Sequence, residues 1–312
     1  MTAWLIRVGV SALLLVLIFY LVPFSEVWAA ARQISPLLWL GALGLFLAGH
    51  AAAAAKWRML IGGSISFRQA FQAHLAGLAA NLALPSVAGG DVVRAGLVMK
   101  HADDKGRLAM GSVADRLLDT LGLALIALAS GWIAWRPRLQ SDLWLGWPLL
   151  GLLALVAAGF VGAQGIDRLA QRRKPSGKLQ RLLVKMIHSA AELSRSPGRL
   201  LLCLAISMTV QCVFVGINIA FADAAHVEAP VAAWFFAWTT AKIIAIAPIS
   251  LGGLGVREAS MAGLLAPFGA EPAQVVAIGL VWQSVLYAIG LIGFLVQMQR
   301  PAATKPTMEQ SG

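Results

Sequence analysis

Two glycine pairs in apolar segments of the sequence are each followed by an arginine, a residue type that binds phosphate, and by an acidic residue. Asp91 and Arg94 come after the first pair, and Arg257 and Glu258 come after the second. A helix that begins after such a pair offers free backbone N–H groups and the positive end of its dipole to an anion. Arginine adds a forked donor that suits phosphate oxygens. The pattern predicts an anion site with Arg94 and Arg257 as phosphate ligands, and with nearby acidic residues balancing their charge.

Further polar residues lie within segments that are otherwise apolar. Four of them fall at i, i+3, i+4 and i+7, the spacing of one helix face, and these are Ser112, Asp115, Arg116 and Asp119. Asn81 and Lys242 lie in the apolar stretches that lead into the two glycine pairs. Because ionisable groups within a membrane are costly, they are usually functional or paired. Two interpretations stay open: these residues line a binding site with the two arginines, or the arginines pair with nearby acids and only hold the fold.

The sequence has none of the common motifs for nucleotide hydrolysis or for nucleophilic or metal catalysis. It contains no G-x-x-x-x-G-K-[ST], G-x-S-x-G or H-E-x-x-H pattern. Its histidines have no companions at metal-ligand spacing, and its cysteines, Cys203 and Cys212, lie in one apolar run. We therefore expect no metal site, no cofactor and no catalytic residue. The rival interpretation is a membrane enzyme that acts on a lipid headgroup, with Asp115 or Asp119 as general base.

The composition is that of a polytopic membrane protein. Hydrophobic residues make up 59% of the 312 positions, charged residues make up 12%, and the mean hydropathy is +0.77, whereas soluble domains carry roughly 25% charged residues. The apolar residues form runs of about 20, the length that crosses a bilayer. The net charge of +11 comes mostly from basic residues in the gaps between runs, as the positive-inside rule expects of cytoplasmic loops. A nucleic-acid partner is not expected, because it would require basic and aromatic residues on a shared face.

The hydropathy pattern predicts an all-α protein with six transmembrane helices and two re-entrant hairpins. The six spans lie near 4–22, 36–55, 107–135, 143–163, 199–222 and 273–298. Two shorter apolar stretches, 68–84 and 230–247, each run into a proline and a glycine pair and continue as half-helices, 91–100 and 254–267. Basic residues, among them Lys56, flank the first stretch, whereas acidic residues flank the second. A stretch that begins and ends on one side has not crossed, so the hairpins are expected to enter from opposite faces.

The sequence around the first glycine pair recurs around the second. Five residue types are repeated at an offset of 163 positions, starting from Pro85, Gly89, Gly90, Val93 and Arg94. The same offset relates the flanking spans and defines two repeat units of opposite orientation, 36–135 and 199–298. Inverted repeats with broken helices near the membrane midplane are typical of secondary transporters.

The loop 164–198 between the repeat units is strongly basic and is therefore predicted to be cytoplasmic. Apolar residues recur within it at helical spacing, which predicts an amphipathic helix on the anionic inner leaflet. An ordinary solvated connector is the alternative. The tail 300–312 is short and polar and is predicted to be disordered, and both termini are expected in the cytoplasm.

Three segments of the sequence resemble a known family of membrane proteins. They are Asn81-x3-Pro85-x3-Gly89-Gly90-Asp91-x2-Arg94, Ser112-x2-Asp115-Arg116-x2-Asp119 and Ala247-Pro-Ile-Ser-Leu-Gly-Gly-Leu-Gly-Val-Arg257-Glu258. In this order they resemble the lysylphosphatidylglycerol synthase transmembrane-region family, over roughly residues 5–298. The resemblance implies a flippase-like lipid translocator. Some family members also carry a cytoplasmic aminoacyl-transfer domain, which this chain is expected to lack because it ends 14 residues after the last span.

The expected function is movement of an anionic or phosphate-bearing lipid between the leaflets of a bacterial inner membrane. The expected partner is a membrane lipid with an anionic headgroup or a lipid-linked intermediate, and lipid-biosynthesis enzymes are further candidates. The site is expected between the two hairpins. The alternatives are an accessory subunit of a lipid-biosynthesis complex and the headgroup enzyme with an aspartate base.

Overall fold

The computed structural model describes residues 24–83, 87–138, 151, 154, 162, 164–168, 177–247 and 253–298. Within these residues all regular structure is helical, which confirms the all-α prediction. In chain order the α-helices are α1 (Phe24–Arg32), α2 (Pro36–Leu60), α3 (Phe67–Ala83), α4 (Val87–Val98), α5 (Lys105–Trp135), α6 (Lys178–Ser194), α7 (Pro197–Ala224), α8 (Val231–Ile244), α9 (Val256–Leu265) and α10 (Pro272–Met298).

Four of these helices, α2, α5, α7 and α10, are long and apolar enough to cross a membrane. The shortest of them, α2, has 25 residues and extends about 37 Å at 1.5 Å per residue, more than the roughly 30 Å of a bilayer core. The protein is therefore a multi-pass membrane protein. The predicted span 4–22, the predicted tail 300–312 and nearly all of the predicted span 143–163 lie outside the described residues.

Polar capping residues set where two of the long helices begin. Ser35 accepts a hydrogen bond from the Leu38 N–H (3.2 Å), and Pro36, at the first position of α2, has no N–H to satisfy. Asp104 accepts a hydrogen bond from the Gly106 N–H (2.7 Å) at the start of α5. Such caps satisfy backbone donors that have no partner within the helix. They fix the ends of α2 and α5, the helices that carry several of the buried charges.

The core of the bundle is aromatic. Phe46 on α2 packs on Phe214 of α7 with ring centroids 4.6 Å apart, and Trp238 on α8 meets Trp282 of α10 edge to face at 4.8 Å. All four side chains are at most 2% exposed. Aromatic pairs in such geometries contribute about 0.5–1.5 kcal/mol beyond their buried area. The cluster joins α2, α7, α8 and α10 into one core.

The shorter helices pack in pairs and reach across between the two halves of the chain. α3 packs along α4, and α8 packs along α9. α3 also packs on α10 of the second half, while α8 packs on α5 of the first half. α2 and α7 are in direct contact. Each half therefore supplies short helices to the surface of the other.

The helix α6 lies within the predicted basic loop. It packs on α5, with Ala191 and Leu193 buried, while Leu183 on the same helix is exposed. Its basic residues Arg181 and Lys185 are also exposed. One side of the helix thus contacts the protein, and its position on the inner leaflet stays a prediction.

The first glycine pair lies inside a helix rather than before one. α4 begins at Val87 and includes Gly89 and Gly90, so the predicted half-helix starting at residue 91 is wrong at its start. A Cβ on Gly77 of α3 would lie 2.7 Å from the Gly90 carbonyl oxygen, and a Cβ on Gly90 would collide with the Gly77 carbonyl oxygen. The glycines allow the backbones of α3 and α4 to touch, which a sequence pattern alone does not reveal.

The two arginines consequently occupy different places in their helices. Arg94 lies in the second turn of α4. Arg257 lies in the first turn of α9, two residues after Gly255, whose φ of 82° is a left-handed conformation that glycine adopts without strain. The expectation that each arginine lies in a first turn is correct for Arg257 and wrong for Arg94. Only Arg257 is close enough to a helix N-terminus for the dipole to add to its charge.

Replacing Gly90 with alanine should destabilise the protein, because the added methyl group overlaps the Gly77 carbonyl and the Asn81 side chain. Overpacking of this kind typically costs about 1–3 kcal/mol. Gly96→Ala is the matched control in the same helix, since its Cβ would meet no atom within 4 Å and alanine favours helix by about 0.5–1 kcal/mol. Thermal unfolding of both variants in detergent measures the difference. Equal melting temperatures would contradict the close contact between α3 and α4.

Candidate functional site

Arg94 anchors α4 to two neighbouring helices. Its Nη2 donates to Asp115 Oδ2 on α5 (2.9 Å) and lies 3.2 Å from Asp91 Oδ1 on its own helix. Its guanidinium carbon lies 4.4 Å from the centroid of the Trp57 ring on α2. The residue is 3% exposed. The predicted phosphate ligand is therefore held by acidic residues inside the bundle.

Lys56 is the residue that the sequence placed wrongly. Its charge was expected in a cytoplasmic loop after a span ending at 55, but α2 continues to Leu60 and the side chain is 1% exposed. Its Nζ contacts Asp115 Oδ1 (2.9 Å), Asp119 Oδ1 (2.5 Å) and Ser207 Oγ (2.8 Å). Two aspartates on one face of a span need a buried cation. The two aspartates on one face of α5 were therefore the sequence signal from which a position of Lys56 within the membrane could have been predicted.

The remaining polar residues of the α5 face contact the same network. Arg116 pairs with Asp91 on α4, and Ser112 Oγ accepts a hydrogen bond from the Trp57 Nε1–H (3.0 Å). The three cations of this network face three aspartates, so its formal charges balance. The four-residue face predicted from spacing is thus brought together with Asp91 and Arg94. We call this group of side chains the first charge network, and it consists of Lys56, Asp91, Arg94, Asp115, Arg116 and Asp119.

A smaller cluster surrounds the second arginine. Arg257 Nη2 donates to the adjacent Glu258 carboxylate and to Gln283 Oε1 on α10 (2.9 Å). Glu258 is fully buried and its other oxygen accepts a hydrogen bond from the Gly255 N–H (2.8 Å). The Glu258 carboxylate therefore accepts a hydrogen bond from one of the backbone N–H groups that were predicted to bind an anion. Gln283 was not identified from the sequence, because an uncharged residue in an apolar helix gives no strong signal.

Both arginines keep one donor that their acidic partners do not use. The Nε atoms of Arg94 and Arg257 are buried and have no hydrogen-bond partner in the described part of the chain. Arginine always donates and never accepts. The two sites therefore share one chemical feature, a buried N–H that lacks an oxygen acceptor.

The last two predicted site residues have separate roles. Asn81 Oδ1 accepts a hydrogen bond from the Gly90 N–H (2.8 Å) and so helps to hold α3 against α4. Lys242 Nζ donates to Gln211 Oε1 on α7 (2.9 Å) and lies 5.5 Å from the Phe214 ring centroid. Asn81 thus acts within the helix pair. Lys242 makes no ion pair with the described residues, although Asp119 acts on it electrostatically and both Lys242 and Arg257 lie over the Trp238 ring.

Two histidines without a predicted role meet beside Arg94. His50 Nδ1 on α2 and His74 Nε2 on α3 are 2.9 Å apart. His74 Nδ1 lies 3.1 Å from Arg94 Nη1. The histidines are 24 positions apart in the chain, so only the packing of α2 on α3 brings them together.

These contacts define a multi-pass helical membrane protein with paired charges inside the bundle. Residues 4–293, nearly the whole chain, match the family described as Lysylphosphatidylglycerol synthase TM region, and the chain belongs to that family. The match confirms the family predicted from the three sequence segments. A comparison with curated proteins found no match.

Lys56→Met should lower the free energy of unfolding by about 3–5 kcal/mol, because it leaves the buried Asp115 and the partly buried Asp119 short of a cation. Neutralising one of them in the double variant Lys56→Met/Asp119→Asn should recover part of the loss. Lys185→Met is the matched control, since that lysine is 61% exposed on α6. Chemical or thermal unfolding in detergent gives the comparison. If the Lys56 and Lys185 variants unfold alike, Lys56 is not the centre of the network.

Proposed function

We propose that this protein is a flippase-like translocator that moves a phosphate-bearing, anionic lipid between the leaflets of a bacterial inner membrane and leaves the lipid chemically unchanged. The proposal rests on the hydrogen bonds and ion pairs of the two arginines. Arg94 and Arg257 each pair with a carboxylate and keep a buried Nε–H that no described residue accepts. Such a donor suits an oxygen of a phosphate group.

The amount of charge inside the bundle supports a functional rather than a purely structural role. Buried ion pairs contribute little net stability, and well-packed hydrophobic residues often replace them without loss. In membrane proteins, charged residues that face the bundle interior commonly mark the path of a substrate. Family membership is consistent with a role that concerns membrane lipids.

An inverted repeat of two units is part of the proposal, and the helix boundaries support it. At the offset of 163 positions, the starts and ends of α2, α3 and α5 fall within four residues of those of α7, α8 and α10. The contacts between the halves follow the same correspondence. α3 packs on α10, and their counterparts in the other half, α8 and α5, pack on each other. A correspondence of this kind is expected of two units related by a pseudo-twofold axis, as in many secondary transporters.

In this arrangement six helices cross the membrane, and the pairs α3–α4 and α8–α9 form hairpins that enter from opposite faces. Both termini lie in the cytoplasm, following the distribution of basic residues. Arg94 is 3% exposed and Arg257 is 7% exposed, so a headgroup reaches either one only after its hairpin moves. The protein thus alternates between states in which one hairpin or the other opens.

The rival enzyme requires Asp115 or Asp119 as general base. Asp115 is held by Lys56 and Arg94, and Asp119 is held by Lys56 and Ser207. Either carboxylate would have to break these contacts before it could take a proton from a substrate. These contacts support translocation without a chemical step.

Single-cysteine labelling tests the opposed hairpins. In a version without the native cysteines, an impermeant thiol reagent applied to intact cells should label cysteines in the flanks of one hairpin and not in those of the other. The exposed positions to use are Arg68 and Lys100, expected inside, and Glu228 and Glu271, expected outside. Opposite labelling of Arg68 and Lys100 would mean that the α3–α4 segment makes one complete crossing and does not return to the face from which it entered.

Lipid movement is measured with the purified chain in vesicles that contain fluorescent phosphatidylglycerol, by bleaching the outer leaflet. Arg257→Gln should slow movement about 10- to 150-fold, because loss of a charged hydrogen bond costs roughly 1.5–3 kcal/mol. Arg181→Gln, on the exposed side of α6, should move lipid at the wild-type rate.

The same experiment separates translocation from scaffolding. A scaffold predicts that Arg257→Gln is unstable and that Glu258→Gln restores both stability and function. Wild-type protein that moves no lipid, or a stable Arg257→Gln variant that moves it at full speed, would end the proposal.

A further inference from the structure

Among the residues that the structure describes, Lys242 has no anionic side chain within ion-pair distance. Its Nζ donates to the neutral Gln211 amide at 2.9 Å and lies 5.5 Å and 6.0 Å from the ring centroids of Phe214 and Trp238. No carboxylate of the described residues forms an ion pair with it. An ammonium group has three N–H donors, and Gln211 uses one of them.

Among the described residues, the buried cations Lys56, Arg94 and Arg257 all have acidic partners. In the first charge network three basic residues face three aspartates, and Arg257 faces Glu258. Within the described interior, Lys242 therefore has no ion-pair partner of its own, although Asp119 acts on it electrostatically. An isolated charge in a low-dielectric bundle is costly unless an anion joins it.

The hydrogen-bond directions of the two histidines follow from Arg94. A guanidinium only donates, so His74 Nδ1 accepts from Arg94 and carries no proton. His74 is then protonated on Nε2 and donates to His50 Nδ1. His50 in turn carries its proton on Nε2. That atom is buried and has no acceptor among the residues that the structure describes.

This directed chain ends in the aromatic core beside Lys242. The His50 ring lies 5.4 Å from the Phe214 ring, and Phe214 lies 5.6 Å from Trp282, which packs on Trp238. Trp238 is 1% exposed, and its Nε1–H also lacks an acceptor in the described segments. The groups around Phe214 thus offer donors and a positive charge. Asp119 acts electrostatically on both Lys242 and His50, but its carboxylate is already bound by Lys56 and Ser207.

We propose that Lys242, His50 and Trp238 form the phosphate subsite for the translocated lipid, and that this subsite selects headgroups with a net negative charge. The inference rests on the proposed translocation and names its substrate class. A phosphodiester supplies only acceptor oxygens, which match the unused donors. An aminoacylated headgroup brings an ammonium group, which adds donors and repels Lys242. The family's name refers to lysylphosphatidylglycerol. The donors in this chain instead fit an anionic lipid whose headgroup carries no amine.

A competition experiment tests the selectivity. The purified full chain in detergent is mixed with phosphatidylglycerol and lysylphosphatidylglycerol of identical acyl chains, and the bound lipids are counted by native mass spectrometry. Phosphatidylglycerol should bind at least about 10-fold more tightly, the effect expected from one charged hydrogen bond. Equal binding, or preference for the lysylated lipid, would overturn the inference.

Variants locate the subsite. Lys242→Gln should weaken phosphatidylglycerol binding about 10-fold or more, while Lys242→Arg keeps the charge and most of the affinity. Lys185→Gln removes the same charge from exposed α6 and should have no effect. His50→Phe keeps a ring but removes the Nε2–H donor and should also weaken binding, whereas His50→Gln places an amide N–H near the same position and should retain it.

If Lys242→Gln does not fold, the two variants His50→Phe and His50→Gln still test the subsite. Affinity that is unchanged in His50→Phe, or unchanged in a folded Lys242→Gln variant, would remove these residues from the site. Such a result would leave translocation itself intact, because movement of lipid in vesicles is measured independently. Loss of movement with selective binding preserved would instead reject translocation and keep the subsite.

Discussion

The structure depends on one constraint: a charge inside a membrane bundle must meet an opposite charge. Lys56, Asp115 and Arg94 satisfy this constraint for one another and in doing so fix α2, α5 and α4 in relative position. Removing any one of them leaves a buried charge uncompensated, and the penalty is larger than the net stability that the intact set supplies. The network therefore specifies an arrangement more than it strengthens the fold. The glycine contact between α3 and α4 serves the same end, since it brings Arg94 within reach of its partners.

Framework and binding are consequently divided between different atoms. The terminal nitrogens of Arg94 and Arg257 hold helices through carboxylates, whereas their Nε–H groups, with Lys242 and the end of the histidine chain, remain for an oxygen-bearing ligand. Under the proposed function, the structural and the functional interpretations of the arginines, which the sequence left as alternatives, concern different nitrogens of the same side chain. This division also explains why Lys242, which lies outside the ion pairs, is the best candidate for selecting charge.

Patterns that depend on neighbours along the chain could be predicted. Run length identified the regions of α2, α5, α7 and α10, and spacing on one helix face identified the polar residues of α5. Features that depend on distant contacts could not be predicted. The partner of Asp119 lies 63 positions away at Lys56, where the basic side chain resembled a loop residue. The His50–His74 contact and the position of Gly90 within α4 likewise follow from helix packing, for which local sequence carries no signal.

A lipid phosphate that lies against donors inside the bundle must be close to side-chain nitrogen atoms. The distance between the lipid phosphorus and these nitrogen atoms is therefore the quantity to measure. Solid-state NMR on the chain with ¹⁵N-labelled lysine and arginine, in phosphatidylglycerol bilayers, detects ³¹P–¹⁵N dipolar dephasing of individual side-chain signals. We expect dephasing of the Lys242 Nζ signal, which is assigned by its loss in Lys242→Gln. We also expect dephasing of the arginine Nε signals that vanish in Arg94→Gln or Arg257→Gln. Dephasing confined to exposed residues such as Lys185, with none at these three, would contradict the proposed position of the phosphate.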